Sequence, residues 1–489
     1  MLPLGPRGHR GLWRRYVNVT VPDRTERDHR PGGRWSSPHL IDDLLHLAVI
    51  ERSAAHVIAG WVPKVGELDE KLALAAGLEG HWLRAIALRQ HALTLSERDS
   101  DALTADRGWI APLHALDHQG DAPLVVAAIS GVRQFLLSRY RELAERLDPM
   151  LDARLRATVH RAVDDLACPM TPIGTPMPPP GRDTSLRTQL EIARSAGDTH
   201  RTPIDDLIWA PIDRVQVPAR PAARQRPPTG ARAHFRKGSR LTLEDLAGEL
   251  NDNVMAELSA LELLCRCSYE HPDQPWPTHL AMARHATDEA RHAAIFRRLL
   301  ADNGIDEREL PQHGANYEYG YEYPECEPGS GRELVWRLLI LSTVLEALAI
   351  DKLPVEIAGR DWVGQADFAR ALDCIAADEL FHAENGLRLT RRLCDQLGLN
   401  PILERERVHG RFFGRQRDVR TAYLEADPAR AAAEIAILEA PDPDGVPYVS
   451  RTEVELRLRC GFTLDDCDQV EHWGYNPARH ELLDAAREP

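Results

Sequence analysis

The run His285-Ala-Thr-Asp-Glu289-Ala-Arg-His292 places two imidazoles and a carboxylate at helical spacing. A helix advances about 100° per residue, so positions 285, 289 and 292 fall within a fan of roughly 60°. The alanines around them (Ala281, Ala283, Ala286, Ala290, Ala293 and Ala294) favour a helix and leave its surface small. A Glu and a His three apart on one inward face bind a single cation together. The chemistry on offer is metal ligation.

Glu-x-x-His alone is a weak signal. It occurs at Glu26–His29, Glu289–His292, Glu379–His382 and Glu406–His409, and the first and last lie in polar, charged segments that read as solvated. The repeat carries the weight. Glu257 precedes Glu289 by 32 residues, and Glu346 precedes Glu379 by 33. Val254, Leu258 and Leu261 surround the first leading glutamate; Leu341, Val344, Leu345 and Leu348 surround the second. A buried, unpaired carboxylate costs several kcal/mol, so both call for a partner. The set Glu257, Glu289, His292, Glu346, Glu379 and His382 supplies four carboxylates and two imidazoles, enough for two divalent cations. The oxygen-rich donor set favours iron or manganese over zinc, which prefers fewer ligands and more nitrogen or sulfur.

These motifs resemble the ferritin-like di-iron carboxylate superfamily over residues 241–399. The resemblance implies an antiparallel four-helix bundle with Glu257 on the first helix and Glu289 and His292 on the second. Glu346 would stand on the third, and Glu379 and His382 on the fourth. It implies a non-haem di-iron oxygenase or oxidase that activates O2 to hydroxylate, N-oxidise or desaturate a small organic substrate. The cofactor would be two iron ions, with manganese–iron as the other pairing, and O2 the co-substrate. Electrons would come from an external donor of the ferredoxin or flavin-reductase type. The alternatives are a ferritin-like iron-binding or ferroxidase protein, a peroxide-detoxifying protein, or a helical interaction protein with a vestigial site. His285 is surplus to the superfamily's ligand set. The spacing His-x-x-x-Glu-x-x-His resembles the three-histidine sites of the arylamine N-oxygenases, which makes His285 either a further ligand or a histidine that is hydrogen-bonded at the bundle end or exposed.

Composition narrows the setting. The net charge of −15 argues against a nucleic-acid partner. No stretch approaches the ~20 apolar residues that cross a bilayer, and the N-terminus lacks an apolar leader core. The 8 cysteines contain no CxxC pair, which removes a rubredoxin-like iron site. Cys265, Cys374 and Cys394 read as small buried hydrophobes, and a reducing cytoplasm is the expected compartment. A homodimer is compatible with all of this.

The expected fold class is all-α. Residues 1–36 read as an irregular arm and residues 37–167 as a helical bundle, a degenerate copy without a di-metal site. In that copy Trp82 stands where a ligand histidine belongs and Leu136 where a glutamate does, while Glu51, His56 and His81 are the residues a mononuclear site would use. Residues 168–240 read as a Pro/Arg-rich linker with a short helix at 185–195, and 241–399 as the ferritin-like bundle. Within that bundle, the third helix is expected to stop at Pro354, and the tyrosines from Tyr317 to Tyr323 to lie on an extended segment. Residues 400–489 read as a mixed extension with helices at 428–438 and near 452–459.

Overall fold

The computed structural model describes residues 37–96, 103–169, 185–195, 201–207, 209–220, 243–314, 323–362, 365–426 and 454–464, with Thr171, Gly174, Pro176, Tyr317, Gly320, Tyr321 and Cys467. The expected N-terminal arm and the helix at 428–438 lie outside them. The chain is predominantly helical. Its first helices are α1 (Ser37–Trp61), α2 (Leu68–Ala75), α3 (Leu78–Ser96), α4 (Ala111–Asp117), α5 (Ala122–Arg146), α6 (Ala153–Ala167) and α7 (Ser185–Ser195). Next come α8 (Leu243–Glu270), α9 (Trp276–Asp302) and α10 (Gly331–Leu339), which runs through a π-helical segment (Ile340–Leu345) into α11 (Glu346–Trp362). Helices α12 (Ala366–Leu397), α13 (Pro401–Ala426) and α14 (Val454–Arg459) complete the order. One antiparallel ladder pairs β1 (Thr104–Asp106) with β2 (Arg201–Pro203). No helix among the described residues is long and apolar enough to cross a membrane.

Helix ends follow local chemistry. Ser330 caps α10 by accepting from the Glu333 N–H, and α12 ends at Gly398, whose φ of 66° suits a residue without Cβ. Two helical expectations are corrected. The third bundle helix continues through Pro354, because Ile350 and Leu353 bury there and outweigh the lost backbone bond. Tyr317 and Tyr321 stack at 5.0 Å from helical positions one turn apart, so the period-two reading of that stretch fails.

Helices α8 and α9 pack together, α11 and α12 do likewise, and α9 meets α12. On the other side α1 lies against α3 and α8, and α3 against α9. The two helical groups share one core that runs from Leu44 through Leu261 and Ala290 to Val408. Gly60 of α1 allows this contact, since a Cβ there would stand 2.6 Å from the Tyr269 ring of α8. Residues 201–220, expected within a linker, form a packed strap. Ile204, Leu207 and Trp209 are buried, Arg214 binds Glu333, and Arg220 binds Glu262. Cys265 and Cys394 are buried as expected, but Cys374 is exposed on the outer side of α12.

In the N-terminal group, Glu51 is fully buried and takes hydrogen bonds from Arg84 (2.6 Å) and Tyr140 (2.8 Å), with His81 Nδ1 at 2.5 Å. A guanidinium supplies the counter-charge there. His56 stands apart, edge-on to Trp82. Burial raises the Glu51 carboxyl, but Arg84 and His81 outweigh it and hold it at about 2. A carboxyl lowered from 4.5 to about 2 stabilises the fold above pH 4.5 and loses that contribution as pH falls towards 2. Glu51→Gln should therefore cost about 3 kcal/mol at neutral pH, with the deficit against wild type shrinking below pH 4.5. Denaturant titrations at several pH values check this; a deficit independent of pH would refute it.

Candidate metal centre

The four helices α8, α9, α11 and α12 bring seven side chains into two groups. One is His285, Glu289, Glu346 and His382; the other is Glu257, Glu289, His292 and Glu379. Glu289 belongs to both. In each group the ligand-type atoms lie within 4.8 Å of one another. All six residues of the repeated motif are therefore brought together, and His285 joins them. Its Nε2 lies 2.9 Å from both Glu289 and Glu346, and its ring stacks on His382 at 3.8 Å. His285 is thus buried and hydrogen-bonded rather than exposed. Burial, and then the neighbouring His382, lower its pKa.

The His292 and His382 rings point Nδ1 inward. His382 Nδ1 lies 3.1 Å from Glu289 and 3.4 Å from Glu379. His292 Nδ1 lies 3.4 Å from Glu379, 3.6 Å from Glu257 and 3.7 Å from Glu289. That nitrogen is buried yet makes no hydrogen bond, so it faces a gap bounded by three carboxylates. A cation fits there.

Two residues that contact the cluster escape the motif reading. Asp378 lies 3.2 Å from His292 Nε2, and Asp288 lies 3.4 Å from His382 Nε2. Each aspartate immediately precedes the glutamate of its own Glu-x-x-His and reaches the histidine of the other helix. The signal was present in the sequence as Asp-Glu-x-x-His twice. Burial raises both aspartates, but hydrogen bonds to the imidazoles and the charge of Arg291 pull them below the usual range. Arg291 lies 2.6 Å from Asp288 and 2.8 Å from Asp378, tying the two helices outside the cluster. An Nε2–H held by a carboxylate fixes the tautomer that turns Nδ1 towards a cation.

The charges also set this cluster apart. Glu51, Glu262, Glu270, Glu333, Asp351 and Glu404 are buried, and each meets an arginine. Among the described residues, Glu257, Glu289, Glu346 and Glu379 meet imidazoles and one another instead. Burial and carboxylate neighbours push Glu257 and Glu346 well up, while hydrogen bonds from their partners bring Glu289 and Glu379 down.

A family model for a protein of unknown function (DUF455) matches residues 183–435, just over half of the chain. The chain belongs to the DUF455 family. The DUF455 match spans the strap, all seven cluster residues, Asp288 and Asp378; α1–α6 and α14 lie outside it. No curated protein and no solved structure matches this DUF455 chain significantly.

The π segment immediately before Glu346 sets that residue's direction. Widening the turn frees carbonyls, and the Ser342 and Thr343 hydroxyls bond those of Leu338 and Leu339 at 2.8 and 2.7 Å. The segment presses on α12 at Gly386, where a Cβ would stand 1.6 Å from Ser342 Oγ and 2.4 Å from its Cβ. Gly386→Ala improves helix propensity yet should push the segment outward and carry Glu346 with it. Metal analysis is expected to show a lower metal content than wild type, and an unchanged content would separate the π segment from the site.

Proposed function

We propose that the protein is a non-haem di-iron oxygenase or oxidase built on a ferritin-like bundle. The observation that carries this reading is the pair of His/Glu groups sharing Glu289, four carboxylates with no arginine among them. Glu257, His292 and Glu379 would hold one ion, and Glu346, His382 and His285 the other, with Glu289 common to both groups. When bound, a ferrous pair supplies the electrons that activate O2 towards an organic substrate. The chain's own share is orientation and exclusion of water. Asp288 and Asp378 hold the imidazoles, and the surrounding core keeps the site dry. The substrate is a small molecule and the electrons come from an external donor protein.

His285 supports an oxidising role over simple storage. As the third imidazole of the cluster and the second at its ion, it would replace a charged or exchangeable donor by a neutral, fixed one and tune that ion's reactivity.

Purified protein should hold about two metal ions per chain, mainly iron, and Glu289→Ala should lose both. Ferrous-loaded protein should consume O2. Absence of metal in wild type, or full metal content in Glu289→Ala, would overturn the reading. His285→Ala should keep its iron but alter the absorption spectrum of the oxidised protein, and an identical spectrum would remove His285 from the ligand set.

A further inference from the structure

The described C-terminal piece sits directly over the ligand-bearing helices. Leu456, Cys460 and Phe462 pack on Ala347, Ile350, Leu380, Ala383 and Leu387, a hydrophobic cluster separate from the main core. Three of those residues adjoin ligand positions: Ala347 follows Glu346, Leu380 follows Glu379, and Ala383 follows His382. The floor under α14 is therefore made of small or apolar side chains on the two helices that carry Glu346, Glu379 and His382.

Polar contacts join the piece to this seat. Arg457, itself fully buried, binds Asp351 of α11 through Nε at 3.0 Å and through Nη2, which also reaches the Ala347 carbonyl at 3.1 Å. The Cys460 thiol donates to the Leu380 carbonyl at 3.4 Å, and Arg391 donates to the Gly461 carbonyl at 2.7 Å. Helix α14 has only six residues, far below the length at which a helix is stable by itself. Its stability is borrowed from this seat, so it belongs at the low end of local opening free energies.

We infer that α14, with Cys460–Phe462, is a gate over the metal centre, latched by the Arg457–Asp351 pair. Its departure opens an apolar seat for the hydrocarbon part of a small organic substrate. The seat would present that part to the Glu346–His382 side of the cluster. Closed, the gate completes the dry surroundings of the site; open, it admits a molecule larger than O2. This inference rests on the metal-centre reading.

The test uses the full chain, loaded anaerobically with ferrous ion and challenged with bipyridine as chelator. Arg457→Ala strands Asp351 and should speed iron extraction on the order of a hundredfold, since breaking a buried pair leaves an uncompensated charge. Phe462→Ala, which keeps the Arg457–Asp351 pair and removes only the ring beside the Arg457 guanidinium, should speed it less. Extraction at the wild-type rate from an equally loaded and folded Arg457→Ala protein would overturn the gate. Hydrogen exchange of wild type supplies a readout without iron. Amides of 454–462 should exchange much faster than those of 344–351 and 378–385, and equal protection would overturn the gate whether or not metal binds. Failure of wild type to hold iron, with fast exchange at 454–462, would instead overturn the metal-centre reading and leave a mobile cap.

Discussion

Uncompensated carboxylate charge in a low-dielectric interior is the constraint around which this molecule is arranged. A buried carboxylate must find a cation, share a proton or lie at a water-filled edge. The chain answers with arginine at most such places: Arg84 for Glu51, Arg220 for Glu262, Arg337 for Glu270, Arg457 for Asp351. At the convergence of α8, α9, α11 and α12 it withholds arginine and places imidazoles instead. An imidazole is a weak and switchable counter-ion but a good metal donor, so the choice of residue separates a structural ion pair from a site. The N-terminal helices make the contrast internally, because there Arg84 stands 33 residues after Glu51, close to the spacing that joins Glu257 to Glu289.

The centre was legible in the sequence because its logic is one-dimensional. Helical periodicity puts residues three and four apart on one face, so Glu289, His292 and His285 could be grouped before any fold was known. The same rule hides Asp288 and Asp378. Each lies about 100° around the helix from its glutamate and reaches the neighbouring helix, a relation no single-helix pattern contains. His409 was passed over for a similar reason. It sat in a polar Glu-x-x-His and proves to be buried, 2.8 Å from Thr343 of the π segment.

Other features depend on tertiary contacts that local propensity does not report. The π segment packs against α12 and α13, and α11, which passes through Pro354, packs against α12. The strap of residues 201–220 looked solvated because it is rich in proline and arginine. Arg214 and Arg220 are counter-ions for Glu333 and Glu262, and composition cannot tell a solvated arginine from one with a buried partner. Helix α13 was missed because its sequence is polar; a strong apolar stripe, the usual helical signature, is absent there.

The strap also bears on the order in which the chain can complete itself during synthesis. Arg52 on α1 donates to the Ile204 carbonyl, Lys64 binds Asp213, and Lys71 on α2 binds Glu262 of α8 and the Ala219 carbonyl. Those basic groups are made first, and their partners arrive more than a hundred residues later. Burial pulls Lys71 down to about 8 even with Glu262 present, so without that partner it would sooner stay in water than enter the interior. The N-terminal helices thus leave the ribosome with an interface that cannot close. Final packing waits for the strap and α8, which makes the two helical groups one folding unit.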